Sequence, residues 1–172
     1  MEYALKRILP SGIEAALQKA DKYRELNQPE EAESICRDVL AIDADHQLAA
    51  RILGLALTDR FAPASGARFA EVRDVFARLL DPYERAFYGG LACERQAKVQ
   101  LGAGMPLAAV RPLFDQALAR YAEAEALRPP GNDDAILRWN SCVRALHALA
   151  GLGASEAEHR VDWETDTVPH QR

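Results

Sequence analysis

No run of apolar residues in this chain approaches the roughly 20 needed to cross a bilayer. Its opening, MEYALKRILP, is too short and too polar for the apolar core of a secretory leader. A disulfide framework is missing as well. The three cysteines, Cys36, Cys93 and Cys142, are odd in number and far apart, which fits a reducing cytosol better than an oxidising compartment. A cytoplasmic protein is therefore expected. Clustered Lys and Arg are scarce and the formal net charge is −5, so neither nucleic acid nor an anionic membrane is the expected partner. β-branched residues are sparse, and no segment alternates apolar with polar over strand length, which removes the sheet classes.

What is present is helical. Apolar residues make up 49% of the 172 and charged ones 27%, enough for one domain or one compact array with a real core. Alanine is abundant. Breakers recur at LPSG (9–12), NQP (27–29), DADH (43–46), APASG (62–66), DP (81–82), GAGMP (102–106), PPGND (129–133) and GLG (151–153). Between them the spacing predicts seven helices, over 12–26, 30–42, 47–60, 67–80, 83–101, 107–127 and 133–150. Short connections make consecutive helices antiparallel neighbours. The expected class is all-α.

Residues 13–46 span 34 positions, the period of the tetratricopeptide repeat. Within them Ala20 and Tyr23 fall on the first helix, and Ala32, Cys36 and Val39 on the second. This segment resembles a tetratricopeptide repeat, which wants a small residue where its two helices cross and larger ones beside it. Ala20 against Ala32 supplies the first requirement; Tyr23, Cys36 and Val39 supply the second. Close helix approach needs small side chains, and period alone cannot provide them. Ala16 and Ala44 depart from the pattern, standing where a tryptophan and a closing proline are common.

Two further units follow the same resemblance. Unit 47–82 offers Leu53-Gly54, Leu57 and a DP stop, although its loop FAPASGA is long and Phe69, Val72, Phe76 and Leu79 sit slightly off register. Unit 83–130 offers Tyr88-Gly89, Ala117, Tyr121, Ala124 and Pro129. Both of its helices overrun the usual hairpin by about seven residues, two extra turns or roughly 10 Å. The resemblance thus covers about 13–130 and implies an α-solenoid of three hairpins, preceded by a short arm over 1–12. A stripe of Ile136, Trp139, Val143, Leu146 and Ala150 resembles the helix that closes such arrays (133–150), with Asp133 or Asp134 placed to cap it. The acidic tail 151–172 is expected to be mostly disordered. Its lone Trp163 is either a chance aromatic or a group that docks into the protein's own groove.

Chemistry-bearing patterns are weak. His46, His147, His159 and His170 form no metal-ligand pair of histidines; Glu156/His159 and Asp43/His46 are three apart but have no second half. LGAGMP lacks the lysine and preceding strand of a phosphate loop, and GASEA lacks the second glycine of a nucleophile elbow. Cys36 sits among core positions, Cys142 adjoins the stripe of the closing helix, and nothing marks Cys93 as activated. An enzyme or metal-binding helical protein is the least favoured class, and no cofactor is expected.

Binding remains. The resemblance implies a concave groove lined by the first helices of successive units. It would draw on Leu17, Asp21 and Arg24 from unit one, Arg51, Leu55 and Thr58 from unit two, and Ala86 and Cys93 from unit three. Family members that clamp chaperone C-terminal carboxylates use lysine, asparagine and arginine; here the matching positions hold Leu17, Asp21, Ile52, Tyr83 and Phe87, so that ligand is not expected. Leu17, Ile52 and Leu55 favour instead a partly apolar groove for an amphipathic segment of a protein partner. The expected function is an adaptor, scaffold or assembly factor, with self-association compatible. The alternative is a secretion-type chaperone, similar in length, acidity and three-unit plan but usually built with a longer N-terminal helix. Heavy use of arginine over lysine, and of alanine, hints at a bacterial source.

Overall fold

The computed structural model describes residues 3–164, with side chains described through Ala150. Among these residues there is no β-strand. After one 3-10 turn, Pro10–Gly12, come seven α-helices: α1 (Ile13–Glu25), α2 (Pro29–Leu40), α3 (Gln47–Asp59), α4 (Gly66–Ala77), α5 (Pro82–Gly102), α6 (Leu107–Leu127) and α7 (Asp134–Glu164). Each packs on its neighbours in the chain, and α1–α3, α3–α5 and α5–α7 touch in series.

The breakers act through identifiable hydrogen bonds. Asn27 adopts a left-handed φ of 58° after α1; its N–H bonds to Arg24 O at 3.0 Å and the N–H of Gln28 to Tyr23 O at 2.8 Å. That paired closure absorbs two carbonyls left over at the helix end. The end of α5 repeats it with Gly104 at φ 84°, where Gly104 N bonds to Leu101 O and Met105 N to Gln100 O. Pro29 and Pro82 open α2 and α5 at positions where no N–H is needed. The Asp81 side chain accepts from Tyr83 N at 2.8 Å and caps α5.

One packing device holds all three hairpins. In α1/α2, Ala20 and Ala32 are both fully buried in one cluster with Cys36 and Val39. In α3/α4, a Cβ on Gly54 would lie 2.2 Å from the Phe76 ring, so only glycine fits. Phe76 is itself buried and stacked on Tyr88 at 5.3 Å. Burying a phenylalanine side chain contributes roughly 1.5–3 kcal/mol. In α5/α6, a Cβ on Gly90 would meet Tyr121 at 2.9 Å and the Ala117 carbonyl at 3.2 Å.

This last contact corrects the expected register of unit three, which placed Gly89 at the crossing. A Cβ on Gly89 would have nothing nearer than Arg120 Cδ, at 4.0 Å. The two adjacent glycines are indistinguishable by residue type, but a step of one residue turns the helix by about 100°. Counting would have separated them: Ala20, Gly54 and Gly90 each lie seven residues after Ile13, Gln47 and Tyr83.

Two lengths also differ from expectation. The helices α5 and α6 have 21 residues each against 13 and 12 in α1 and α2, so the third hairpin is longer by about 12 Å, slightly more than the spacing indicated. Helix α7 runs on past Ala150 to Glu164, where a stop at Gly151 and a disordered tail were expected. Glycine inside a helix costs only about 1 kcal/mol relative to alanine, and the residues around Gly151 and Gly153 are good helix formers. The Trp163 side chain and residues 165–172 lie outside the described residues, so the docking reading of that tryptophan rests with them.

Candidate functional site

The expected groove face, formed by α1, α3 and α5, is largely closed. Leu17, Thr58, Ala86 and Cys93 are buried, each no more than 5% exposed. Leu17 packs in the first core cluster, and Ala86 packs with Tyr83, Ala124 and Ala135. Thr58 satisfies its hydroxyl on Leu55 O at 2.7 Å and also accepts from Arg95 at 2.6 Å. The two arginines among them are paired across helices. Arg24 Nε donates to Asp59 Oδ2 at 2.8 Å, Arg95 donates to the other oxygen of Asp59, and Arg51 donates to Glu84 at 2.6 Å. These bridges link α1 to α3 and α3 to α5. Of the eight groove residues, Leu17 and Asp21 share a recess, a hollow of about 260 Å³ between α1 and the start of α3. Leu55 is half-buried and Asp21 exposed. Alignment by small-residue anchors identifies which helix a residue is on, not how deep its side chain sits.

The larger openings lie on the opposite face, between second helices. One, of about 750 Å³, separates α2 from α4 over Leu53 of α3. The other, of about 690 Å³, separates α4 from α6 over α5. The backbones of α4 and α6 stay apart, and the second cleft is the gap they leave. Its floor is Phe76, Gly89 and Cys93; its walls carry Arg73 and Asp74 from α4 and Gln116 and Arg120 from α6, with Arg85 at one end. Cys93 therefore faces this cleft, not the α1/α3/α5 face where it was expected. Gly89 also has its place here: without a side chain it deepens the floor.

The cleft's cations are unevenly satisfied. The Arg73 guanidinium lies 5.8 Å from the centre of the Phe69 ring, and Arg85 donates to the Leu79 carbonyl at 2.7 Å. Neither has a carboxylate partner among the described residues, whereas Arg120 pairs with Glu123 at 2.9 Å. Burial pushes the Cys93 thiol above its ordinary range, while Arg73 and Arg120 pull the other way.

Sequence reasoning missed Glu94. It is 1% exposed, yet it accepts from Tyr121 Oη at 2.5 Å, from Lys98 Nζ at 2.5 Å and from Arg138 at 3.5 Å. A buried carboxylate needs such partners, and here they tie α5 to α6 and α7. In sequence, Glu94 and Lys98 look like an ordinary surface pair four residues apart; the signal available was Tyr121, a hydroxyl-bearing ring on the core stripe of α6. Desolvation, then the Glu94 charge, pushes the Cys142 thiol up to about 12. Desolvation alone dominates at Cys36, also pushed up to about 12. Both thiols stay protonated at neutral pH and are poor nucleophiles.

The Asp43/His46 pair has a structural role. His46 Nδ1 accepts from Ala49 N at 3.3 Å and caps α3, and Asp43 accepts from Asp45 N at 3.3 Å. Glu156, His159 and His170 lie outside the described side chains. Among the described residues no group of three or more His, Cys, Asp or Glu side chains is placed to hold a metal ion. No helix among them is long and apolar enough to cross a membrane. No protein-family model matches the chain, and no curated protein matches it in sequence.

Proposed function

We propose that this chain is a tetratricopeptide-like α-solenoid that acts as a non-catalytic interaction module, holding a segment of one partner protein. The observation that carries the reading is the packing device repeated in Ala20/Ala32, Gly54/Phe76 and Gly90/Tyr121. A stack of hairpins joined this way builds extended faces rather than one enclosed site, and extended faces suit protein segments. The open clefts between second helices give such a segment somewhere to lie. Three buried free thiols agree with a reducing, cytoplasmic setting.

Crosslinking in the native cell, followed by capture and mass spectrometry, tests the reading. One protein recovered in stoichiometric yield, with crosslinks mapping to the helical face, is the expected result. Recovery of the chain alone, at every crosslinker length, would count against a partner-binding module.

A further inference from the structure

We propose that the cleft between α4 and α6 docks an acidic, partly apolar peptide segment of a partner protein. The proposal rests on the interaction-module reading and adds the place and the chemistry of the ligand.

Charge complementarity carries it. The chain is net negative, and many of its arginines, Arg24, Arg37, Arg51, Arg60 and Arg95 among them, are engaged with carboxylates. In this cleft Arg73, Arg85 and Arg120 stand against Asp74 in the wall and Glu123, which pairs with Arg120, a balance of three cations to two carboxylates. Arg73 and Arg85 have no ion-pair partner among the described residues, so both retain N–H donors for an incoming carboxylate. A local positive patch on an acidic protein attracts acidic segments and repels basic ones.

The floor sets the rest of the ligand. Ala70, Ala77 and Ala119 present exposed methyl groups between the cations, over the buried Phe76 and Cys93 and the bare backbone of Gly89. A volume of about 690 Å³ accepts a few side chains, not a folded domain, and the cleft is open between two helices whose backbones stay apart. A peptide with carboxylates flanking an apolar side chain matches this layout. A phosphodiester chain does not, because Asp74 in the wall and Glu123 beside Arg120 would repel its continuous negative charge.

The test is fluorescence anisotropy on the full chain. The probes are a short labelled peptide of Glu, Leu and Ala, its counterpart with Lys for Glu, and a short labelled single-stranded DNA. Wild type should bind the Glu peptide, prefer it over the Lys peptide and the DNA, and lose affinity as salt rises. Arg73→Glu and Arg120→Glu should each weaken binding by about tenfold, as expected for a lost charge-assisted contact. Both side chains are exposed, so folding should be kept, and circular dichroism confirms it. Gly89→Met leaves every charge in place but fills the floor, and should also weaken binding. Glu-peptide binding untouched by all three variants would overturn the cleft assignment while leaving an interaction module in place. Tighter binding of the DNA would overturn the peptide assignment. Failure of the Glu peptide to bind would overturn the ligand chemistry, and cellular crosslinking then decides the broader reading separately.

Discussion

Gly89 and Gly90 are neighbours in sequence with opposite surroundings. On the Gly90 flank, α5 meets α6 so closely that a single methyl group would strike Tyr121 and the Ala117 carbonyl. On the Gly89 flank, the backbones of α4 and α6 part and leave a cleft floored by Gly89, Phe76 and Cys93. The contrast extends to the whole molecule. The face of α1, α3 and α5 is bridged by Arg24–Asp59, Arg95–Asp59 and Arg51–Glu84, while the face of α2, α4 and α6 has two openings, of which Arg37–Glu71 spans the first and no ion pair among the described residues spans the second. Small residues thus do two different jobs here: some let helices touch, and one keeps a space open.

The largest break in that comparison is expected from Gly54→Ala. Its new methyl would sit 2.2 Å from a buried ring that is already stacked on Tyr88, so the ring must move. Overpacking of this kind costs about 3 kcal/mol, a drop of about 10 °C in thermal midpoint for a chain this size. Next comes the adjacent pair. Gly90→Ala should destabilise by about 2 kcal/mol, because the Ala117 carbonyl is backbone and cannot swing aside. Gly89→Ala should instead stabilise by up to about 1 kcal/mol, since it meets nothing and improves helix propensity. Denaturant melts of the two variants side by side check the opposite signs; equal signs would mean that the two flanks are not distinct. Smallest is Asp59→Asn, which weakens the bridges to Arg24 and Arg95. These groups are partly exposed, so the loss should be about 1 kcal/mol or less in dilute buffer and should shrink at high salt.

Most of the architecture was legible because helix boundaries are written in local chemistry. Proline at the start of α2 and α5, Asn27 and Gly104 in left-handed closures, and the small residues at positions 20, 32 and 54 each announce a local event. Gly151 misled because a glycine lowers helix propensity without forbidding a helix. The candidate site was far less legible. Arg24 and Arg51 were placed on the correct helices, but sequence cannot show that Asp59 and Glu84 already occupy them. Cys93 was assigned to the opposite face, and Glu94 was overlooked because its burial depends on Tyr121 and Arg138, both distant in the chain. The cleft at Gly89 is a gap between the backbones of α4 and α6, and a gap between two helices leaves no mark in either one.

No described helix brings its backbone close to that of another more than two places away in chain order. Nearly all packing is therefore between segments close in sequence, the condition under which loop-closure entropy is small and folding is fast. Such a chain can consolidate from its N-terminus as it leaves the ribosome, each hairpin offering a surface on which the next one settles. Until α5 arrives, the Phe76 ring lacks the Tyr88 ring that stacks on it. Between the second hairpin and the third, the growing chain therefore carries an aromatic ring whose stacking partner has yet to be made.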